Sequence, residues 1–321
     1  MSKYEYDIVK VLYRSETTVS GQKLAEQLNI SRTAVWKAID ALKEKGYHIN
    51  SVSNKGYTLI QFPKRWDAHH INLILEDSQL FQKGFIYESL TSTQDEAEKL
   101  ALNESNPFIV LSEVQTDGRG RFRRNWSSLP DTGLWMSVVL KPDIALHKLT
   151  TFNLFIALAL VETMHHYYEN VKIKWPNDIF INDKKLSGFL TEIKGNQDQI
   201  NQIICGIGIN LNTEVNQFPE AIHQTATSLS VETGLYIDRY KFFKLLICNL
   251  EKYYNKFLHS EFKDVKSDYE RYALMFDRTL KYTEGNNVIY GKATSMNDDG
   301  TLNVTGEDGK TYRFISADIE L

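Results

Sequence analysis

Residues 115–126 read Gln-Thr-Asp-Gly-Arg-Gly-Arg-Phe-Arg-Arg-Asn-Trp, which sets Arg119, Arg121, Arg123 and Arg124 within six residues. Guanidinium groups so close repel one another unless anions share them. Gly118 and Gly120 allow positive φ and a close backbone approach to a ligand. A phosphate-bearing small molecule suits such a loop, with Trp126 at its end. A nucleic-acid patch or a solvated basic loop is the competing reading. The spacing is not that of a P-loop, which requires G-x-x-x-x-G-K-[ST].

Further along, an apolar strand pattern over 172–181 is interrupted by Trp175-Pro176-Asn177-Asp178. Proline removes a ladder donor, and Asn-Asp supplies a turn with polar groups aimed off the sheet. A structural turn accounts for Pro176 alone, but not for a tryptophan, an amide and a carboxylate together. Lys185 then stands at the start of a strand predicted over 186–192. It projects into a pocket or faces water, as most lysines do. Gly206 and Gly208 are expected to follow a strand over 202–205 and to bring Asn210 to a strand end beside a ligand. They do not make a dinucleotide fingerprint, because Leu211 occupies the place of the third glycine.

The elements that must hold these groups form a mixed pattern. Strands are predicted over 85–87, 108–113 and 134–140, and helices over 93–102 and 149–168, the order of a mixed sheet with helices packed on it. From about Asp277 short strands at 279–282, 288–294, 301–304 and 311–315 alternate with Gly- and Asp-rich turns, which fits a small antiparallel SH3-like barrel.

Residues 1–60 have a separate character. Ile8, Val9, Leu12 and Tyr13 have helical spacing, Ser20 caps a second helix, and Ser31 caps a third over 32–45 with Val35, Ile39 and Leu42 inside. Two helices joined by so tight a turn read as helix-turn-helix. A hairpin over 47–52 and 57–60, turning at Ser53–Gly56, would be its wing. Ser31, Arg32, Thr33, Trp36 and Lys37 lie on the outer side of the third helix, where they reach base edges and phosphates. Ser20 and Lys55 join them as DNA-contact candidates. The segment carries nine basic and six acidic residues, whereas the whole chain has a net charge of −4. A dimerisation or docking module with a basic face is the alternative.

The bulk properties bound these readings. A chain of 321 residues holds more than one domain, and 42% hydrophobic with 24% charged residues is an ordinary globular composition. The net charge excludes a nucleic-acid coat protein, so any nucleic-acid surface is local. The charged N-terminus lacks a secretory pattern, and the longest apolar run, 154–161, falls far short of the ~20 residues of a membrane span. Cys205 and Cys248 form no C-x-x-C motif and read as core filler. The eight histidines show no metal-binding spacing, so no protein-ligated metal is expected, and the compartment is the cytoplasm.

In order along the chain, Ser92-Thr93-Gln94, Gln115, Gly118-Arg119-Gly120-Arg121 with Arg124 and Trp126, Lys174-Trp175-Pro176-Asn177-Asp178, Lys185-Leu186-Ser187-Gly188 and Gly206–Asn210 resemble the biotin–protein ligase family in its bifunctional form, the biotin operon repressors. The match spans essentially the whole chain. It implies an α+β protein: a winged helix-turn-helix over 1–63, a mixed-sheet α/β ligase core of the biotin/lipoate type over 64–272, and a C-terminal SH3-like β-barrel over 273–321. The implied reaction joins biotin to ATP as biotinyl-5′-AMP, then passes biotin to a lysine of a carboxylase carrier domain. By similarity Ser92, Thr93, Gln94, Gln115, Arg119, Gly120, Arg121, Lys185 and Gly188 line the biotin site. Arg121, Arg124, Trp126, Asn177, Lys185 and Asn210 take the nucleotide, with Lys185, Arg121 and Arg119 catalytic. Mg²⁺ accompanies the pyrophosphate. The implied partners are the carrier domain, a palindromic operator and, in the adenylate-bound form, a second copy of the chain.

The resemblance also implies that the arginine loop orders around ligand. Many relatives place glycine where Arg123 stands, which bears on the loop's flexibility, and Phe122 is expected to pack across the dimer interface. A lipoate ligase is disfavoured because its R-R-x-[SG]-G-G-G pattern is missing. A ligand sensor without catalysis is disfavoured by Lys185 and the arginines.

Overall fold

The computed structural model describes residues 4–52, 55–195 and 199–320. Lys3, and Ser53 and Asn54 of the expected wing turn, lie outside the described residues. The chain forms two compact units, residues 1–77 with 84–86 and residues 78–83 with 87–321.

In the first unit, α1 (Glu5–Tyr13), α2 (Gly21–Gln27) and α3 (Arg32–Glu44) precede a hairpin of β1 (His48–Val52) and β2 (Gly56–Gln61). The helix starts follow from their caps. Ser20 Oγ accepts from the Lys23 N–H and Ser31 Oγ from the Ala34 N–H, both at 3.1 Å. Ile8, Val9, Leu12, Leu24, Val35, Ile39, Leu42 and Ile49 close one core. Val19 exchanges two 2.9 Å backbone bonds with Tyr57, adding a third short segment to the wing. A fourth helix, α4 (Ala68–Leu75), packs on α1, where Glu76 accepts from Tyr6, Lys10 and Arg14 at 2.6–2.7 Å.

β3 (Gly84–Tyr87) carries the chain into the second unit. There the elements are α5 (Thr93–Leu100), β4 (Phe108–Ser112), β5 (Gly133–Leu140), β6 (Ile144–Ala145), α6 (Leu149–His165), β7 (Val171–Lys174), β8 (Asp178–Ile181), β9 (Lys184–Gly195) and β10 (Gln199–Asn210). Strands β4-β5-β10-β9-β8-β7 lie side by side in antiparallel pairs, with β6 beside β10. β10 runs on through Gly206–Asn210, so these glycines lie inside a strand rather than after one. Helix α6 is buried almost all round.

After α7 (Leu229–Thr233), α8 (Arg239–His259) covers α6, stacking Phe257 edge-on against Phe152 and Phe155. At its start Arg239 and Glu113, each 3% exposed, form an ion pair at 2.7 Å that anchors α8 to the residue after β4. α9 (Lys266–Tyr272) then leads into the C-terminal strands. No helix among the described residues is long and apolar enough to cross a membrane.

The expected C-terminal barrel is not formed. β11 (Thr279–Glu284), β12 (Asn287–Met296), β13 (Leu302–Gly306), β14 (Thr311–Phe314) and β15 (Asp318–Glu320) make an open sheet in the order β14-β13-β12-β11-β15. Closure requires the two edge strands to pair with matched tilt and stagger. Here β14 pairs with β13 and β15 with β11, and no register joins the two edges among the described residues. Both edge strands are short, and β15 meets the ligase core instead.

Candidate active site

A cavity of about 660 Å³ in the second unit is bounded by the start of α5, the arginine loop, β8, β9, β10 and β15. Ser92, Thr93, Gln94, Gln115, Arg119, Gly120, Arg121, Arg124, Trp126, Asn177, Lys185, Gly188 and Asn210 all stand on its walls.

Two polar clusters divide the walls. In the first, Ser92 caps α5 by accepting from the Gln94 N–H at 3.2 Å. Gln115 Oε1 accepts from the Thr93 N–H and hydroxyl at 2.8 and 3.1 Å, while its amide donates to Ser128 at 2.9 Å. Gln94 donates to the Ile204 carbonyl and to Glu192, and accepts from Ser137. In the second cluster Lys185 Nζ lies 2.7 Å from Asp178 Oδ1, an ion pair rather than an aligned hydrogen bond. Lys174 Nζ lies 3.8 Å from the other oxygen of Asp178 and donates to the Ile319 carbonyl at 3.0 Å. Burial pushes the Lys174 amine down, against the raising charge of Asp178. Asn177 donates to the Phe189 carbonyl at 2.8 Å and accepts from Arg121 at 2.9 Å. Asn210 donates to the Thr227 carbonyl at 3.0 Å.

Two glycines of β10 explain how large groups fit above a central strand. A Cβ on Gly206 would stand 2.6 Å from Gln94 Oε1, and one on Gly208 would stand 2.5 Å from Trp126 Cε2 and Nε1. The residues are two apart and face the same side of the sheet. Gln94 and Trp126 therefore occupy space that side chains would fill. Trp126 lies edge-on to Trp135, has the Lys185 amine 5.5 Å above its ring, and leaves its buried indole N–H without an acceptor among the described residues.

The arginine loop is folded into a narrow turn. Gly120 N donates to the Arg124 carbonyl at 2.8 Å, and Trp126 N to the Gly118 carbonyl at 2.7 Å. Phe122 and Arg123 both take positive φ, 57° and 56°. Such backbone costs a non-glycine residue about 1–2 kcal/mol, so glycine at position 123 would be the relaxed choice. The four guanidiniums part company. Arg119 pairs with Asp95 at 2.7 Å and Glu192 at 3.7 Å, and the Asp95 hydrogen bond raises its already high pKa. Arg121 reaches Asn177 and, at 2.7 Å, the Ser316 hydroxyl; burial lowers its pKa. Arg124 pairs with Asp318. Arg123 is exposed and does not line the cavity.

Some contributors and pairings have no local signal in the sequence. Lys174 and the Lys185–Asp178 pair lie in or beside segments already singled out, but nothing local shows the pairing. Asp318 and Ile319 come from β15, which is too short for alternation to be read, and Ser316 from the bend before it. Trp175 turns away from the site: it is buried and donates to the Gly300 carbonyl at 3.3 Å. Among the described residues no cluster of three His, Cys, Asp or Glu side chains could hold a metal ion.

In the first unit Ser31, Arg32, Thr33, Trp36, Lys37 and Lys55 are exposed, Trp36 at 54%, and Ser20 is half-buried at its cap.

The helical unit and the cavity-bearing sheet together define a ligase core preceded by a helix-turn-helix. Comparison with known proteins agrees: residues 5–58 match the HTH domain model and residues 86–210 the biotin/lipoate A/B protein ligase family. The chain is 38% identical over 305 residues to the Bacillus subtilis (strain 168) protein named "Bifunctional ligase/repressor BirA", covering 94% of each. It is 26% identical to the Escherichia coli (strain K12) protein of that name, covering 94% of this chain and 92% of that one. Biotin protein ligase from Aquifex aeolicus, solved with biotin and ATP, superposes with a TM-score of 0.64 at 29% identity, covering 75% of this chain and 98% of that one. The chain belongs to the bifunctional biotin–protein ligase/repressor family.

Proposed function

We infer that the cavity joins biotin to ATP and hands the product to a carrier lysine. The chain is an ATP-dependent biotin–protein ligase that forms biotinyl-AMP and acts as a biotin-responsive repressor. The observation that supports the site reading is the meeting of the arginine loop, Lys185 and the Ser92–Gln94 helix start around one cavity.

In the first step biotin's carboxylate attacks the α-phosphate of ATP, forming the mixed anhydride biotinyl-AMP while the α–β bond breaks and pyrophosphate leaves. Two anions meet, so cations must offset their repulsion and the charge that develops. Lys185 and Arg121 take this role, Lys185 between the two substrates. Ser92, Thr93, Gln94, Gln115, Gly120 and Gly188 shape the biotin side, with Arg119 in its wall. Trp126 flanks the adenine, and Arg124, Asn177 and Asn210 hold the nucleotide. Mg²⁺ travels with the pyrophosphate. Asp178 and Asp318 are already engaged by Lys185 and Arg124, which fits a metal held through phosphate and water rather than by a protein cage. In the second step the carrier's lysine amine attacks the mixed anhydride and AMP leaves. A folded loop over the anhydride keeps water from competing.

Residues 1–63 read DNA, 64–272 ligate, and 273–321 brace the nucleotide side. The adenylate-bound form dimerises, placing two winged units on a palindromic operator. Phe122, 67% exposed, is the candidate anchor of that dimer. Phe122→Ala should weaken adenylate-dependent dimerisation in sedimentation equilibrium, and an unchanged constant contradicts it. The reading places the protein in the cytoplasm, where ATP, carrier and operator meet. Mass spectrometry of a carrier domain incubated with the protein, biotin and MgATP should show one added biotinyl group on one lysine. An unmodified carrier contradicts the transfer step.

A further inference from the structure

The arginine loop carries several cations into one cavity, yet their partners differ in kind. Arg121 meets neutral oxygens, those of Asn177 and Ser316. Arg119 instead sits between two carboxylates, 2.7 Å from Asp95 Oδ1 and 3.7 Å from Glu192 Oε1. These come from separate elements. Asp95 lies in the first turn of α5, directly after Gln94, and Glu192 lies on β9. Glu192 also accepts from Gln94 Nε2 at 3.1 Å, and Gln94 Oε1 accepts from Ser137 at 3.1 Å. A chain of contacts thus runs Ser137–Gln94–Glu192–Arg119–Asp95 and ties the first arginine of the loop to the polar cluster at the start of α5.

The electrostatics of this clamp decide which substrate it serves. A phosphate approaching Arg119 must displace two carboxylates that repel it. One approaching Arg121 displaces an amide and a hydroxyl, with the Asp178 and Asp318 carboxylates near but not paired to it. Asp95 sits in a helix's first turn, where a carboxylate is favoured by the helix dipole whether or not it has a partner. The Glu192 carboxylate spends both its contacts, Gln94 and Arg119, on residues of the cavity wall.

We propose that Asp95 and Glu192 are positioning residues that commit Arg119 to the biotin-side wall and leave the phosphates to Arg121. The proposal rests on the reading of the cavity as a biotin and ATP site. Arg119 is then a fixed structural cation held on the biotin side, while Arg121, whose direct partners are neutral, serves the nucleotide.

The test uses the full-length protein with Asp95→Asn, Glu192→Gln, the double variant and Asp95→Glu. Biotin affinity is measured by calorimetry without nucleotide, and KM for ATP by adenylate formation at saturating biotin. Both carboxylates are partly exposed, so each loss is modest: biotin affinity should fall about threefold in each single variant and about tenfold in the double. Asp95→Glu should bind biotin within about twofold of wild type, and KM for ATP should not rise in any variant. The proposal is overturned if both single variants and the double bind biotin as wild type does. It is equally overturned if KM for ATP rises in step with the loss of biotin affinity, because the clamp would then serve the nucleotide. Wild-type protein that binds no biotin would remove the ligase reading and the clamp together, whereas normal wild-type binding with unaffected variants removes only the clamp.

Discussion

Gly208→Ala adds a single methyl group to β10 beneath Trp126. The ideal Cβ position is 2.5 Å from Cε2 and Nε1 of the indole and 2.9 Å from Cζ2. Carbon atoms in contact rest at about 3.5–4.0 Å, so the ring must retreat by about 1 Å. β10 is hydrogen-bonded on both sides, to β5 and β9, and will not yield. Trp126 ends a loop whose neighbours are largely exposed, so the ring yields, into the space reserved for the nucleotide. Overpacking of this kind costs about 1–3 kcal/mol. If the strain is relieved by moving the ring, it returns as lost nucleotide affinity, about 5- to 150-fold in KM for ATP. Gly206→Ala is the internal comparison. Its methyl meets Gln94 Oε1 at 2.6 Å, the far end of a flexible side chain, and its effect should fall on biotin and be smaller. Initial rates of carrier biotinylation, with ATP varied at saturating biotin and then the reverse, separate the two. The reasoning is refuted if Gly208→Ala leaves KM for ATP unchanged, or if the two variants affect the same substrate.

Other outcomes follow from the same geometry. Lys185→Gln should slow adenylate formation by about 10²- to 10³-fold in pyrophosphate exchange, with biotin affinity little changed; a near-normal rate would show that another group spans the substrates. Asp318 is pushed up by burial, but the hydrogen bond and charge of Arg124, with the charges of Lys174 and Arg121, outweigh this and hold it below the usual 3.8. A carboxyl depressed in the folded state stabilises above its unfolded value and loses that contribution as pH falls through the folded value. Asp318→Asn should therefore cost up to about 1 kcal/mol at neutral pH, a difference that shrinks below pH 3.8 in urea titrations. Trp36→Ala, on the outer face of α3, should weaken binding about fivefold or more to a duplex selected by the wild-type protein, while carrier biotinylation is unaffected; equal DNA affinity would take Trp36 out of the interface.

What was legible in the sequence was mostly local. Ser20, Ser31 and Ser92 each cap a helix within three residues of themselves, so the starts of α2, α3 and α5 fall where spacing puts them. The continuous apolar runs of β4 and β5 and the turn residues of the C-terminal strands are equally short-range. What failed to show was long-range. Gly206 and Gly208 look like a strand ending because glycine weakens a strand, yet they lie within β10 to make room for Gln94 and Trp126 from distant segments. Barrel closure is not legible, because strand count carries no information on whether two edges pair. α8 does carry a local signal: Asp238 caps it, and Phe242, Leu246, Leu250, Tyr253 and Phe257 repeat with helical spacing. At the candidate site the residue types were readable, but their partners were not. Nothing near Arg119 in sequence announces Asp95 or Glu192, and nothing near Arg124 announces Asp318.

The central claim is that this cavity makes biotinyl-AMP. Purified protein is incubated with biotin, Mg²⁺ and α-labelled ATP, the products are resolved, and a carrier domain is added last, with lipoate replacing biotin as the control. The account predicts labelled biotinyl-AMP with biotin alone, none with lipoate, and its disappearance as AMP when carrier arrives. Biotin binding without any labelled adenylate would contradict it and leave a ligand-sensing repressor in which Lys185 and Arg121 have no catalytic role.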